Sequence, residues 1–237
     1  MVWDLTMPCE KRGSEQLTTR WGFPHPGTAD EEGLVSVGGD LEPGTLVSAY
    51  TNGIFPWTTH PITWWSPDPR AIIEPGGIHV SRSLRPVLNR GDFQISFDTA
   101  FREVMVGCAA PRPNGEETWI SPQFIAAYTR LHELGFAHSI ECWREGRLAG
   151  GLYGVSIGGF FAGESMFSAE ENASKVALVS MARRLREAGC LLFDVQLMTP
   201  HLQAMGAIAI PRSEYLLRLR EAVAAPSCWL RAATAPS

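Results

Sequence analysis

A chain of 237 residues can bury a substantial core, as one large domain or two modest ones. Its 45% hydrophobic and 19% charged residues suit a soluble globular protein, and no apolar run reaches the roughly 20 residues of a membrane helix. The net charge of −5 argues against a wholly basic nucleic-acid binder, but residues 1–70 hold nine acids and four bases while residues 71–237 hold sixteen of each.

The opening "MVWDLTMPCEKRG" lacks the basic-then-apolar order of a secretory leader, so the cytoplasm is the expected location. Residues 1–20 read as a loose polar arm. "GLVSVGGDL" reads as a short strand ending in a turn, and "EPGTLVSAYTNG" as a short helix with Pro43 in its first turn and Gly53 beyond its end. In "IFPWTTHPITWWSPDPRAII", Trp57, Trp64 and Trp65 lie close together among prolines that argue against long regular structure. A domain boundary is expected here, giving a small N-terminal domain with a flexible arm at 1–65 and a second domain at 66–237.

"VSRSLRPVLNRG" predicts a helix after Ser81, starting late because of Pro86. "DFQISFD" alternates as a strand and "TAFREVMVGCA" reads as a helix. "PRPNGEETW" is a loop delivering Trp119. "SPQFIAAYTRLHELG" is a helix capped by Ser121 and closed by Gly135. Two strands, "FAHSIECWREG" and "RLAGGLYGVSIGG", lead into a third, "GGFFAGESMFS". "ENASKVALVSMARRLREAG" is the clearest helix, with Leu178, Met181, Ala182 and Leu185 at i, i+3, i+4 and i+7. "CLLFDVQL" is a strand, "PHLQAMGA" a short helix, and "EYLLRLREAVAA" a last helix or loop before a loose tail. The order predicts an α+β fold, a mixed sheet with helices packed on it; the acyl-CoA N-acyltransferase sheet is one such arrangement.

Five scattered cysteines without a CxxC pair support neither a disulfide framework nor a zinc ribbon. His132 and His138 flank the Gly135 turn without metal-ligand spacing, and neither metal nor cofactor is expected. Two windows lack acids: Pro75–Gly91 with Arg82, Arg85 and Arg90, and Asn172–Arg186 with Lys175 in the first turn of the long helix. Such faces hold phosphate or are simply solvated. In "FDVQ", Asp194 and Gln196 share one face of an apolar strand, which suits either a site or the wet side of an edge strand. Glu164 interrupts "GGFFAGESMFS", where a carboxylate is costly unless paired. Alternation puts it beside Met166 and opposite Phe161. It suits a charged spot in an oily pocket, or a partner for a core arginine.

The ordered motifs "GLVSVGGDL", "GIFPW", "PITWWSPDPR", "HVSRSL", "TWI", "AYTRLHELG", "AHSIECW", "GGLYGVSIGGFFAGESMFS", "NASK", "FDVQ" and "HLQAMGA", over roughly residues 22–216, resemble the bacterial leucyl/phenylalanyl-tRNA–protein transferase family. The resemblance implies an acyl-CoA-N-acyltransferase-like (GNAT-like) second domain working without CoA. It implies transfer of Leu, Phe or Met from aminoacyl-tRNA to the α-amine of proteins beginning with Arg or Lys, marking them for degradation. Trp57 and Trp119 would bind the 3′-terminal adenosine. Leu152, Phe161, Met166 and Phe193 would line the pocket for the transferred side chain, with Tyr128 also on the substrate. Asp194 and Gln196 would be the catalytic pair, joined by Glu164. Arg82, Arg85, Arg90 and Lys175 would hold tRNA phosphates. Either a bulge near Gly158, Gly159 or Gly163 reconciles Phe161 with Glu164, or one assignment fails.

The reaction is aminolysis of an activated ester, so no protein nucleophile is needed. Asp194, acting through Gln196, is expected to orient the amine and help accept its proton, with Glu164 on the adenosine or the cationic acceptor. A working monomer is expected. The alternatives are a CoA-dependent N-acetyltransferase, disfavoured by the missing glycine-rich pyrophosphate loop, and a non-catalytic RNA-binding module.

Overall fold

A computed structural model describes residues 17–111 and 118–229. Most of the expected N-terminal arm and the middle of the loop before Trp119 lie outside them.

A three-stranded antiparallel sheet comes first, in the order β1 (Leu34–Val37), β3 (Ile62–Trp65), β2 (Phe55–Thr59). Strands β2 and β3 were not expected from this proline-rich stretch. Pro56 is accommodated because β2 is an edge strand, where a missing N–H costs no ladder bond. Helix α1 (Pro43–Thr51) begins on Pro43 and ends before Gly53, whose φ of +77° suits glycine.

The second sheet has seven strands, ordered β10 (Ile208–Ile210), β4 (Arg70–Ile73), β9 (Leu192–Gln196), β8 (Phe160–Ser168), β7 (Arg147–Ile157), β6 (Ala137–Arg144), β5 (Gln94–Phe97). Among the described residues, only β8 and β9 run parallel. Helix α5 (Ala173–Glu187) makes the crossover that a parallel pair requires. Strands β4 and β10, both short, were not anticipated. The mixed α+β class agrees with the sequence reading.

Neighbouring strand residues feed opposite faces of this sheet. Phe160, Ala162, Leu192 and Ile72 join one apolar cluster with α1, α3 (Phe101–Ala109), α4 (Pro122–Glu133) and α7 (Arg212–Ala224). Phe161, Phe193, Ala71 and Ile73 join another beneath α5, with Leu84 of α2 (Leu84–Arg90) and Leu202 of α6 (Pro200–Ala204). The α5 stripe of Leu178, Met181, Ala182 and Leu185 is buried as its periodicity predicts. The tail after α7 is not loose as far as it is described: Trp229 is buried in the second cluster. A lone tryptophan beyond the last helix leaves no periodic signal to announce this.

Candidate active site

Strands β8 and β9 pair in parallel only as far as Ala162 opposite Asp194. Just beyond, each gains an extra residue. Tyr153 faces Ser165 but Gly154 faces Gly163, leaving Glu164 bulged from β8. Ala71 faces Gln196 but Ile72 faces Asp194, so Val195 is extra on β9. Gln196 holds a left-handed φ of +63°, a strained setting for a non-glycine residue. Bulges re-aim side chains, and here two of them meet where the sheet opens.

The bulge corrects the alternation reading of β8. Met166 packs with the cluster that holds Phe161, not with Glu164. Glu164 points the other way, toward Tyr128 and Tyr50. Phe161 and Glu164 do occupy opposite faces, and the extra residue returns Met166 to the side of Phe161.

Asp194 is wholly buried and accepts four hydrogen bonds. Arg70 donates from Nε to Oδ1 at 2.9 Å and from Nη2 to Oδ2 at 2.7 Å. The Tyr215 hydroxyl donates to Oδ2 at 2.8 Å, and the backbone N–H of Gln196 to Oδ1 at 2.8 Å. A carboxylate has about four lone-pair directions, so Asp194 has none left for a substrate proton. These bonds speak against Asp194 as the proton acceptor, and through Oδ1 the carboxylate holds the backbone N–H of Gln196. Burial opposes the Arg70 charge, but Asp194 raises its pKa, and the guanidinium stays ionised.

Gln196 and Glu164 are buried, each 8% exposed, and Asp194 beside them is at 0%. Gln196 Nε2 donates to Glu164 Oε1 at 2.8 Å. That leaves the amide oxygen of Gln196 free to accept from a ligand N–H. Burial pushes the Glu164 carboxyl up to about 8, against hydrogen bonds from Tyr50 and Gln196 that favour its anion. The Tyr50 and Tyr128 hydroxyls bond each other, and the Tyr128 hydroxyl lies 3.5 Å from Glu164 Oε2. Tyr128 is wholly buried and backs Glu164.

Leu152, Phe161 and Phe193 are buried in the α5-side cluster, with Met166 its half-buried neighbour. Leu152 pairs with Met166 across β7 and β8, and the rings of Phe161 and Phe193 meet edge-on at 5.6 Å. Trp57 is half-buried, edge-on to Trp65 at 5.3 Å. Trp119, also half-buried, is edge-on to Phe124 at 5.0 Å. A hydrogen bond of 2.8 Å between Gln123 and His60 ties the start of α4 to the β2–β3 turn.

Among the basic residues, Arg82 and Arg85 are exposed. Arg90 is exposed too, but it forms an ion pair of 2.6 Å with Asp92, which begins one residue beyond the acid-free window. Lys175 is half-buried, with Nζ 3.3 Å from Asn172 Oδ1. The His201 pKa is lowered, by burial first and by the Lys175 charge second.

Asp98, His132 and His138 place their ligand atoms within 4.8 Å of one another. Most of their polar atoms are already engaged. His138 meets Asp98 Oδ2 at 3.0 Å and the Gly135 carbonyl at 3.1 Å, and His132 Nδ1 meets the Ala137 carbonyl at 2.8 Å. Asp98 also accepts from the Ser139 N–H and from Trp229 Nε1. The three side chains hold one another and the neighbouring backbone, and no metal-ligand spacing announced their meeting.

The family model for leucyl/phenylalanyl-tRNA protein transferase matches residues 72–220, and that for its N-terminal domain matches residues 39–68. The chain belongs to this family. It is 53% identical over 216 residues to the leucyl/phenylalanyl-tRNA–protein transferase of Thiobacillus denitrificans, covering 90% of this chain and 95% of that protein. The Anaeromyxobacter dehalogenans protein of the same name is 50% identical over 222 residues, 91% of this chain and 95% of its own. That of Nitrosomonas europaea is 53% identical over 199 residues, covering 83% and 84%. The family member described here is therefore an aminoacyltransferase. A solved C-terminal domain of a putative lysylphosphatidylglycerol synthetase from Agrobacterium fabrum aligns over 69% of this chain and 55% of its own, at 14% identity and a TM-score of 0.37, too low to bear on the fold. Among the described residues, no helix is long and apolar enough to cross a membrane.

Proposed function

We propose that this transferase moves Leu, Phe or Met from the 3′ ester of aminoacyl-tRNA to the α-amine of proteins beginning with Arg or Lys, marking them for degradation in the cytoplasm. The observation that carries the reading is the Glu164–Gln196 pair, set on two bulges where the sheet opens, with Asp194 and Arg70 fixing it from below. We read the second domain, from about residue 66, as GNAT-like; its mixed sheet with a single parallel pair supports that.

The amine must be neutral to attack. Its nitrogen lone pair adds to the ester carbonyl carbon, the C–N bond forms, and the C–O bond to the ribose breaks. The amine loses one proton and the departing ribose oxygen gains one. Gln196 Oε1 receives the amine N–H and aims its lone pair. The Glu164 anion holds the positive charge of the acceptor. Leu152, Phe161, Met166 and Phe193 receive the aminoacyl side chain, and Trp57 and Trp119 stack the terminal adenosine. Positioning of this kind is worth roughly 7–11 kcal/mol of barrier, enough to make a separate protein nucleophile unnecessary.

Incubation with labelled Leu-tRNA and a peptide beginning with Arg tests the reading. The label is expected on the peptide's N-terminus and absent from an otherwise identical peptide beginning with Glu. No label on either peptide refutes it. Arg82 and Arg85 are the exposed charges suited to tRNA phosphates. Reversing both to Glu should raise the KM for tRNA by about tenfold or more at low salt, and the difference should shrink as salt rises. A salt-independent KM would remove them from the interface.

A further inference from the structure

We infer that Trp229 sets the depth of the aminoacyl pocket by backing the ring of Phe161, and thereby biases transfer between aliphatic and aromatic aminoacyl groups. The inference rests on the reading of Phe161 as a pocket wall. Trp229 lies past residues 72–220 that the family model matches.

The segment after α7 is fastened to the sheet. The backbone N–H of Cys228 donates to the Gly158 carbonyl at 2.8 Å, and the Cys228 side chain is buried near Ser156 and the Phe160 carbonyl. The Trp229 ring lies nearly parallel to Phe161, with centroids 5.8 Å apart and planes 19° apart. It also stacks on His138 at 4.3 Å, and the Arg184 guanidinium sits over it at 4.7 Å. Its Nε1 donates to Asp98 Oδ2 at 2.8 Å. Asp98 is itself held by His138 and by the backbone N–H of Ser139.

Phe161 is wholly buried and meets both Phe193 and Trp229. A pocket beside it gains room when its ring yields, and Trp229 blocks that movement. The indole cannot retreat easily, because a hydrogen bond, a stacked imidazole and a guanidinium hold it. A smaller residue at 229 lets Phe161 move back. The enlarged pocket then suits the Phe side chain better and grips Leu less well.

The test measures kcat/KM for Leu-tRNA and for Phe-tRNA as donors to one Arg-initiated peptide. The proteins are the full chain and its Trp229→Phe, Trp229→Leu and Phe161→Leu variants. The Phe-to-Leu ratio is expected to rise roughly twofold in Trp229→Phe and roughly five- to tenfold in Trp229→Leu, at or below the roughly 10- to 200-fold by which one methylene alters pocket discrimination, since Trp229 acts through Phe161. Loss of folded enzyme divides out of this ratio, so a purely structural role leaves it unmoved. Trp229→Phe carries the test alone if the leucine variant does not fold. A ratio that shifts in Phe161→Leu but in neither Trp229 variant overturns the inference and leaves the pocket standing. A ratio unchanged in all three overturns both.

Discussion

Replacing Arg70 by methionine is expected to cost about 3–5 kcal/mol of stability, because it strands a buried carboxylate. That is a large share of the roughly 5–15 kcal/mol that holds a domain folded. Arg70 and Asp194 are 1% and 0% exposed, so water cannot replace the lost partner. The guanidinium also donates to the Gly53 carbonyl at 3.3 Å and lies over the rings of Phe55 and Tyr215 at 4.8 and 4.5 Å. It thereby joins the three-stranded sheet to the floor of the site. The double variant Arg70→Met with Asp194→Leu removes both charges and should recover most of the stability in urea melts, since apolar replacement of a whole buried pair is often neutral. Transfer should not recover. The N–H of Gln196 would lose the acceptor that helps hold its φ of +63°. A double variant as active as the natural chain would show that Asp194 does not position Gln196.

The helices and the central strands were legible because their signals are local. The α5 stripe recurs every three or four residues, Ser121 caps α4 by accepting from the Phe124 N–H, and Asp194 and Gln196 alternate with Phe193 and Val195. Glu164 stood out as a carboxylate in an apolar run. The partner of Asp194 did not, because Arg70 is 124 positions away on a four-residue strand with no pattern of its own. The option of a core arginine partner for Glu164 was close: such an arginine exists, but its fork fits Asp194. The bulge at Glu164 was also hidden, since one extra residue reverses which face every later side chain takes. Strict alternation therefore joined Met166 to the wrong neighbour. Tyr50 was not singled out at all, being one aromatic in a short helix. Its meeting with Tyr128 depends on how α1 packs against α4.

The Glu164→Gln variant should be more stable than the natural chain at pH 9, by on the order of 3–5 kcal/mol, and nearly equal to it at pH 5. The sign follows from burial, which raises the carboxyl from its ordinary 4.5 to about 8. Between those two values the folded chain keeps a proton that the unfolded chain has released. Stability therefore falls as pH rises through this window, and the loss is complete above about 8. Glutamine has the same shape and no charge to bury, so its contribution has no such slope. Its amide can still accept from Gln196 Nε2 and donate toward the Tyr128 hydroxyl. Transfer should move in the opposite direction. If the anion holds the cationic acceptor, Glu164→Gln loses a charge-assisted bond worth about 1.5–3 kcal/mol, or roughly 10- to 100-fold in kcat/KM for the peptide. The deficit should be largest above pH 8, where Glu164 is ionised, and should narrow as the pH falls and the natural chain takes up its proton. The amine titrates in both proteins, so it cancels from the quotient of the two pH profiles. A quotient flat from pH 6 to 9 would mean that transfer does not use the Glu164 charge. A stability gain without that activity loss would then assign Glu164 to orienting Gln196 alone.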